Sequence, residues 1–231
     1  MKKLLFISIA AAAFCGASAF AADMPTKGPV YRAAPMFNWT GFYVGLHGGY
    51  GRAEADVTGD VTPIFNSTLE PRGAFFGAQA GYNWQVAPNW VWGIEGDIAY
   101  ASLDQNTVVP VALFNDHTKI DRLASIRARA GYAWDRSLLY VTGGWGWAKG
   151  NNTISVPGVA DSNKLSLSGW VLGAGYEMAI ANNWSVKVEY LYYDFGDKSF
   201  AAPNLAPGII FTADANIQTI KAGVNYRFGS Y

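Results

Sequence analysis

The segment that decides the fold is Ala124-Ser125-Ile126-Arg127-Ala128-Arg129-Ala130-Gly131-Tyr132-Ala133-Trp134. Its polarity alternates with a period of two. One face carries small, aliphatic or aromatic side chains from Ala124 to Trp134, whereas the other face carries Ser125, Arg127 and Arg129. This period is typical of a β-strand whose two faces meet different surroundings. The segment also has about the length of a tilted strand that crosses a bilayer, roughly 9–11 residues.

Seven further segments repeat the alternation, with aromatic or aliphatic residues on one face and polar residues or glycine on the other. They span residues 42–50, 76–84, 90–100, 139–147, 170–178, 184–192 and 219–228. Short turns at 87–89, 135–137 and 181–183 alternate with long polar segments at 52–71, 104–118, 149–164 and 196–214. Short turns at one end and long loops at the other are typical of an outer-membrane barrel, whose short side is periplasmic. The sequence therefore predicts an all-β fold, an eight-stranded antiparallel transmembrane β-barrel, over residues 39–231.

The aromatic residues of the apolar face support this register, because they gather at the two ends of the predicted strands. Membrane barrels place such rings of aromatic side chains at both interfaces. Near the short turns the ring comprises Phe42, Tyr82, Trp84, Trp90, Trp92, Tyr132, Trp134, Trp184, Tyr226 and Phe228. Near the long loops it comprises Tyr50, Phe76, Tyr100, Trp145, Trp147, Trp170, Tyr190 and Tyr192. A secreted soluble barrel is the alternative, but it would bury these large residues inside, where eight strands leave little room.

The first residues have the features of an export signal. Lys2 and Lys3 precede an apolar run that is too short to span a bilayer, and small residues follow it. The sequence predicts a signal peptide over residues 1–21, cleaved between Ala21 and Ala22. The single cysteine, Cys15, lies within this leader, so we expect no disulfide in the mature chain. Residues 22–38 contain three prolines and predict a flexible N-terminal lead-in.

The composition excludes several classes of protein. Charged residues make up 15% of the chain, against about 25% in a typical globular domain, and apolar residues make up 51%. The formal net charge is zero, which does not favour a nucleic-acid partner. We expect instead that the protein contacts outer-membrane lipid, and that the barrel-assembly machinery and periplasmic chaperones bind it during biogenesis. The extracellular ligand is not predicted.

Nine charged residues fall on the face that the barrel turns inward. They are Glu95, Asp97, Arg127, Arg129, Glu177, Lys187, Glu189, Lys221 and Arg227. Unpaired charges there would each cost several kcal/mol, so we expect nearly complete pairing. We favour a structural filling of the lumen, because the interior of eight strands is just wide enough for side chains. The alternative is a narrow polar conduit.

Catalysis and ligand binding have weak support in the sequence. Outer-membrane barrel enzymes place a histidine with serine or acidic residues near the extracellular rim. His47 faces inward near the top of the first strand, and His117 lies in the second long loop, but neither has an assembled partner. We therefore predict no catalytic residue, no metal site and no cofactor. Haem ligation by His117 is a less favoured alternative.

The strand motifs resemble those of the small porin-like outer-membrane proteins of alphaproteobacteria, often called outer-membrane immunogenic or outer-membrane β-barrel domain proteins. The matching motifs include residues 39–45, 81–84, 93–97, 127–132, 140–144, 173–177, 186–190 and 223–228. The resemblance implies an integral outer-membrane surface protein of a Gram-negative bacterium, with an envelope-stabilising or antigenic role and no shared catalytic residues. Some relatives are described as porin-like or haem-binding, which keeps a small-solute channel as the alternative function.

The resemblance also implies an assembly signal at the C-terminus, with alternating apolar residues that end in an aromatic. Tyr226 and Phe228 fit this signal, but Gly229-Ser230-Tyr231 follow it. Either the signal tolerates this overhang, or Tyr231 takes the place of the terminal aromatic.

Overall fold

The computed structural model describes residues 37–59, 67–109, 114–156, 159–201 and 210–228. Within these ranges the chain forms nine β-strands. They are β1 (Gly41–Gly59), β2 (Ser67–Leu69), β3 (Arg72–Ala87), β4 (Trp90–Val109), β5 (Phe114–Trp134), β6 (Ser137–Val156), β7 (Val159–Ala179), β8 (Trp184–Ala201) and β9 (Ile210–Arg227). None of the helices in the described part is long and apolar enough to cross a membrane. The predicted signal peptide, most of the lead-in and Tyr231 lie outside the described residues.

The strands close into a barrel. β1 and β3 to β9 pair with their neighbours in chain order, all antiparallel, and β9 pairs back onto β1 from Tyr43↔Arg227 to Gly59↔Phe211. The short strand β2 pairs only with residues 55–57 of β1. Closure leaves no free sheet edge along the paired region, which is what a strand structure in lipid requires. The prediction of an eight-stranded antiparallel barrel is confirmed.

Three tight connections define one end of the barrel, which we call the lower end. They join β3 to β4, β5 to β6 and β7 to β8, at the predicted positions. The β5–β6 hairpin has a two-residue loop in which Asp135 has φ 48°. Two-residue hairpin loops need positive φ, and Asp tolerates this conformation better than most residues do.

The outward face is apolar between two rings of aromatic residues, as predicted. Near the lower end, Phe228 contacts Phe42 and Tyr226, and Tyr132 contacts Trp90 and Trp134. We call this ring the lower girdle. The ring at the other end, the upper girdle, has exposed side chains on six strands: Tyr50, Phe76, Tyr100, Trp145, Trp147, Trp170 and Tyr190. Eight residues separate Phe42 from Tyr50 along β1, which corresponds to about 26 Å of strand.

The predicted long loops are largely wrong, because the strands continue far above the upper girdle. β4 runs nine residues past Tyr100, and β5 begins at Phe114 instead of after residue 118. The predicted segments 52–71, 149–164 and 196–214 are likewise mostly strand. Their polar composition resembled loops because the outward face meets water there, but paired strands satisfy their backbone hydrogen bonds in water as well as in lipid.

The polarity of the two faces reverses at the upper girdle. Below it, outward residues are apolar, and inward residues in the middle of the wall are charged or polar. Above it, β4 places Leu103 inward and Asp104 outward, and β8 places Phe195 inward and Asp194 outward. Register shifts lie at this level in β4, β5 and β8, where an extra residue is inserted into one strand. The upper wall therefore encloses an apolar interior, whereas the middle of the transmembrane wall encloses a polar one.

Candidate functional site

The candidate site is the barrel lumen at membrane depth, where the structure brings together eight of the nine predicted charged residues. Four acids and four bases form one network, which we call the charged layer: Glu95, Asp97, Glu177, Glu189, Arg127, Arg129, Lys187 and Lys221. Their side chains are at most 3% exposed. They extend from β4, β5, β7, β8 and β9, because the inward positions of these strands alternate with lipid-facing ones.

Arg127 connects opposite walls of the barrel. Its Nη2 lies 2.6 Å from Glu95 Oε1 and 2.9 Å from Asp97 Oδ1, both on β4. Its Nη1 lies 3.1 Å from Glu189 Oε2 on β8. A planar guanidinium suits this role, because its several donors point in fixed directions. One side chain thus ties two distant strands together across the lumen.

The two lysines bind the same acids as Arg127 does. Lys187 Nζ lies 2.8 Å from both carboxylate oxygens of Glu95. Lys221 Nζ lies 3.0 Å from Glu189 Oε2 and 3.6 Å from Asp97 Oδ1. Each acid in this part of the layer therefore faces at least two cations. Such sharing offsets the desolvation cost that a buried ion pair otherwise carries.

Arg129 and Glu177 form the lower part of the charged layer. Arg129 Nη1 lies 3.0 Å from Glu177 Oε2, and its Nε donates to Asn83 Oδ1 at 2.8 Å. Its guanidinium also lies 5.0 Å from the ring centres of both Tyr43 and Tyr140, within the range of cation–π attraction. The arginine is thus held between two aromatic rings and an acid.

Neutral side chains from other strands add hydrogen bonds to the acids. The Tyr43 hydroxyl donates to Glu95 Oε2 at 2.7 Å, and the Tyr140 hydroxyl donates to Glu189 Oε1 at 3.1 Å. Ser185 and Asn225 both donate to Glu177, at 2.5 and 2.9 Å. Glycine makes room for the rings: a Cβ at Gly175 would lie 2.5 Å from the Tyr140 ring. The alternation places Tyr43 and Tyr140 inward, next to the outward Phe42 and Leu139, but it does not predict these hydrogen bonds.

Arg227 does not belong to the charged layer, although we grouped it with those residues. It lies near the lower end, where its guanidinium is 4.1 Å from the ring centre of Phe37 and 5.0 Å from that of Trp39. It donates to the backbone carbonyls of Asn38 and Asn182. Arg227 ends β9, six residues below Lys221, and at that position it forms no ion pair with the described acids of the charged layer.

A lower apolar layer closes the lumen beneath the charged layer. Trp39 is completely buried, and its backbone N–H donates to Gln85 Oε1 at 2.8 Å. Its ring meets Phe37 edge to face. The buried residues packed with them are Val91, Ala133, Leu138, Tyr140 and Ala179. Sequence reasoning missed this layer, because residues 37–39 precede the first strand and show no alternation.

An upper apolar layer closes the lumen above the charged layer. Its buried members come from every long strand of the barrel: Ala53, Phe75, Ala99, Ala101, Leu103, Ile120, Leu123, Ala148, Leu167, Val171, Leu191, Tyr193, Phe195 and Ile217. Tyr193 and Phe195 stack on each other. The lumen is therefore filled by three successive layers, two apolar and one charged.

The structure places both histidines in strands, His47 in β1 and His117 in β5. His47 is buried in the middle of the lumen, with its ring edge toward Phe75, and not at the rim. Neither of its ring nitrogens has a hydrogen-bond partner among the described residues. The backbone of His117 belongs to β5, paired with Asn106 and Thr153, and not to a loop. No cluster of metal-ligating side chains occurs in the described ranges.

Comparison with known proteins identifies the family. A family model described as the outer membrane protein beta-barrel domain matches residues 7–228. The chain belongs to this family. The match covers nearly the whole sequence, so the barrel is the family's domain and not an insertion.

The relatives are outer-membrane proteins of alphaproteobacteria. The 31 kDa outer-membrane immunogenic protein of Brucella melitensis is 34% identical over 245 residues, which cover 99% of this chain and 100% of that protein. The 25 kDa outer-membrane immunogenic protein of Brucella abortus is 32% identical over 237 residues, 99% of each chain. The 22 kDa outer membrane protein of Rhizobium leguminosarum is 31% identical over 84% of this chain and 80% of its own length. The chain is thus an integral surface protein of the bacterial outer membrane, as predicted.

Proposed function

We propose that this protein is a non-conducting structural barrel of the outer membrane that presents a surface to the exterior, and that it is not an enzyme. The main support for the proposal is that buried side chains fill the lumen in three layers. An ion that entered the barrel would have to pass two apolar layers and a layer of mutually paired charges. The porin-like alternative needs a water-filled path through all three layers, and the buried side chains that form these layers support the closed reading.

The names of the Brucella relatives support the second part of the proposal. Both are called immunogenic, which describes those proteins as recognised by a host. In this chain, the part available for such recognition is the polar outer wall above the upper girdle. We propose the same antigen-like surface role here, without a bound haem or other cofactor.

Single-channel recording in planar bilayers tests the sealed lumen. The mature chain is refolded, checked for heat-modifiable gel mobility and added to the bilayer in concentrated KCl. We expect no stable current steps, because none of the layers admits hydrated ions. A general porin added to the same bilayer verifies that the recording detects channels. Ohmic steps that scale with KCl concentration, present with the refolded chain and absent with refolding buffer, would refute the proposal.

The ends of the chain carry two further parts of the proposal. Residues 1–21 serve as a signal peptide cleaved between Ala21 and Ala22, and residues 22–38 form the lead-in to the barrel. Phe228 acts as the terminal aromatic of the assembly signal. In support, its backbone N–H donates to the Phe42 carbonyl at 2.8 Å, and its ring contacts both Phe42 and Tyr226. The barrel-assembly machinery and periplasmic chaperones are the partners that this signal implies.

A further inference from the structure

Two pairs of like-charged side chains lie directly opposite each other on neighbouring strands close to the upper girdle. Arg52 of β1 is the cross-strand partner of Arg72 of β3. Arg122 of β5 is the cross-strand partner of Lys149 of β6. Like charges that face each other across a strand pair destabilise the sheet. An anion that lies between or beside the members of such a pair would offset this repulsion.

The first pair has its anion within the chain. The carboxylate of Glu70 accepts a hydrogen bond from Arg52 Nη2 at 2.6 Å and another from Arg72 Nη2. Arg52 also lies 2.9 Å from Glu54. The hydrogen bonds from Arg72 and Arg52 lower the pKa of Glu70, so its charge persists at physiological pH. This pair is neutralised by the protein itself.

The second pair lacks such an anion among the described residues. Arg122 and Lys149 are both exposed, and neither forms an ion pair there. The acid next to Arg122 in the chain, Asp121, is already engaged: it lies 3.7 Å from Lys119 and accepts a hydrogen bond from Asn151 at 3.1 Å. Among the described residues, no acid therefore neutralises Arg122 and Lys149, and an anion from outside the chain would offset their repulsion.

A third cation lies close to this pair on the same outward face. Lys149 pairs with Ser166 of β7, and the exposed Lys164 lies two residues farther along that strand. Diagonal neighbours in a sheet are about 7–8 Å apart. We call Arg122, Lys149 and Lys164 the basic patch. An oxyanion seated on this patch would meet several cationic donors at once.

The height of the basic patch indicates where that anion comes from. Arg122 is the cross-strand partner of Tyr100, and its guanidinium lies 5.9 Å from the centre of the Tyr100 ring. Lys149 lies two residues above Trp147. Both aromatic residues belong to the upper girdle, and girdle aromatics sit at the level of the lipid head groups. The patch thus faces the head groups of the outer leaflet, with the apolar barrel wall directly beneath it.

We propose that the basic patch binds a phosphorylated lipid of the outer leaflet, with the lipid A phosphates on Arg122, Lys149 and Lys164 and the acyl chains along the apolar wall below. A guanidinium holds a phosphate through two parallel hydrogen bonds, and ammonium groups add point charges beside it. The site lies on the outside of the barrel, so its occupancy does not depend on whether the lumen conducts.

Native mass spectrometry of the refolded chain in detergent tests this site, with bisphosphorylated lipid A as the probe and the same lipid after removal of its phosphates as the comparison. We expect the phosphorylated form to bind more tightly. Each cation near a charged lipid surface contributes about 1 kcal/mol, so Arg122→Gln and Lys149→Gln should each weaken binding about fivefold, and the double variant roughly 25-fold. Arg72→Gln is the matched control, because the Arg52–Arg72 pair has an anion within the chain. The affinity of this variant for lipid A should equal that of the unmodified chain.

A charge reversal separates lost binding from lost folding. Arg122→Glu creates an ion pair with Lys149, so we expect this variant to unfold at a higher temperature in phosphate-free detergent while its lipid A binding is lost. Equal affinities for the two forms of lipid A, or unchanged binding by the double glutamine variant, would overturn the proposal. Displacement of the lipid by millimolar inorganic phosphate would also overturn it, because the patch would then be a site for free phosphate.

Discussion

Replacing Glu95 with glutamine tests whether the charged layer holds the barrel together. Glu95 is shared by Arg127 at 2.6 Å and Lys187 at 2.8 Å, and it accepts a hydrogen bond from Tyr43 at 2.7 Å. Glutamine keeps the volume but removes the charge, so four buried bases then face three acids. Breaking a buried ion pair from one side costs about 3–5 kcal/mol, because a charge is left without compensation. We expect Glu95→Gln to lower the free energy of unfolding by this amount.

Lys187 is the second position of a double-mutant cycle with Glu95. Lys187→Met alone should cost a similar amount, because it leaves an acid in excess. The double variant restores the balance with three acids and three bases, and a neutral pair of similar volume is often no less stable than the ion pair it replaces. We therefore expect a coupling energy of at least about 3 kcal/mol between Glu95 and Lys187.

Equilibrium unfolding in urea, with the barrel in phospholipid vesicles, measures these free energies through tryptophan fluorescence and heat-modifiable gel mobility. Glu54→Gln is the control, because the Arg52–Glu54 pair is 2.9 Å long but its side chains are 41% and 32% exposed. An exposed pair contributes about 1 kcal/mol or less. A cost below about 1 kcal/mol for Glu95→Gln, or additive effects of the two lumen substitutions, would refute the account of the charged layer.

Three other substitutions test the remaining features. Trp39→Ala should lower the free energy of unfolding by about 3–5 kcal/mol in the same assay, because a completely buried tryptophan is removed. A loss below about 1 kcal/mol would contradict a packed lower layer. Gly175→Ala should cost about 1–3 kcal/mol, because the new methyl group meets the Tyr140 ring, and a neutral result would argue against that contact. Phe228→Ala should reduce the amount of folded barrel, measured as the heat-modifiable band in outer-membrane fractions, whereas deletion of Tyr231 should not. The reverse pattern would show that Tyr231 is the terminal aromatic of the assembly signal.

The transmembrane part of the barrel is predictable from the sequence because lipid imposes one rule on its whole outer surface. Every outward residue between the girdles must be apolar, so the alternation around Arg127 and Arg129 is enough to assign faces and register. The inward charges follow from the same alternation. Pairing of the neighbouring strands β4 and β5 already places Glu95 opposite Arg127. What the alternation cannot show is which charges meet across the lumen, since Glu189 on β8 reaches Arg127 only when the barrel closes.

The upper wall was missed for the opposite reason. Above the girdle the outward face meets water, so the polarity reverses, and residues such as Leu103 and Phe195 fall on the face that is polar farther down. A search for strands with one constant apolar face therefore ends at the girdle and assigns the rest to loops. Arg227 shows a third limit: alternation places it inward correctly but gives no information on how far it lies from the acids.

The continuation of the strands past the upper girdle has a consequence for digestion of the protein on intact cells. Nine further residues of a tilted strand raise the wall about 20–25 Å above the lipid. Most of the backbone in that wall is hydrogen-bonded to a neighbouring strand, and a protease cleaves only backbone that can leave such pairing. A protease added from outside should therefore cut mainly in the segments that join the strands, and the pieces should stay together in the membrane as one folded barrel.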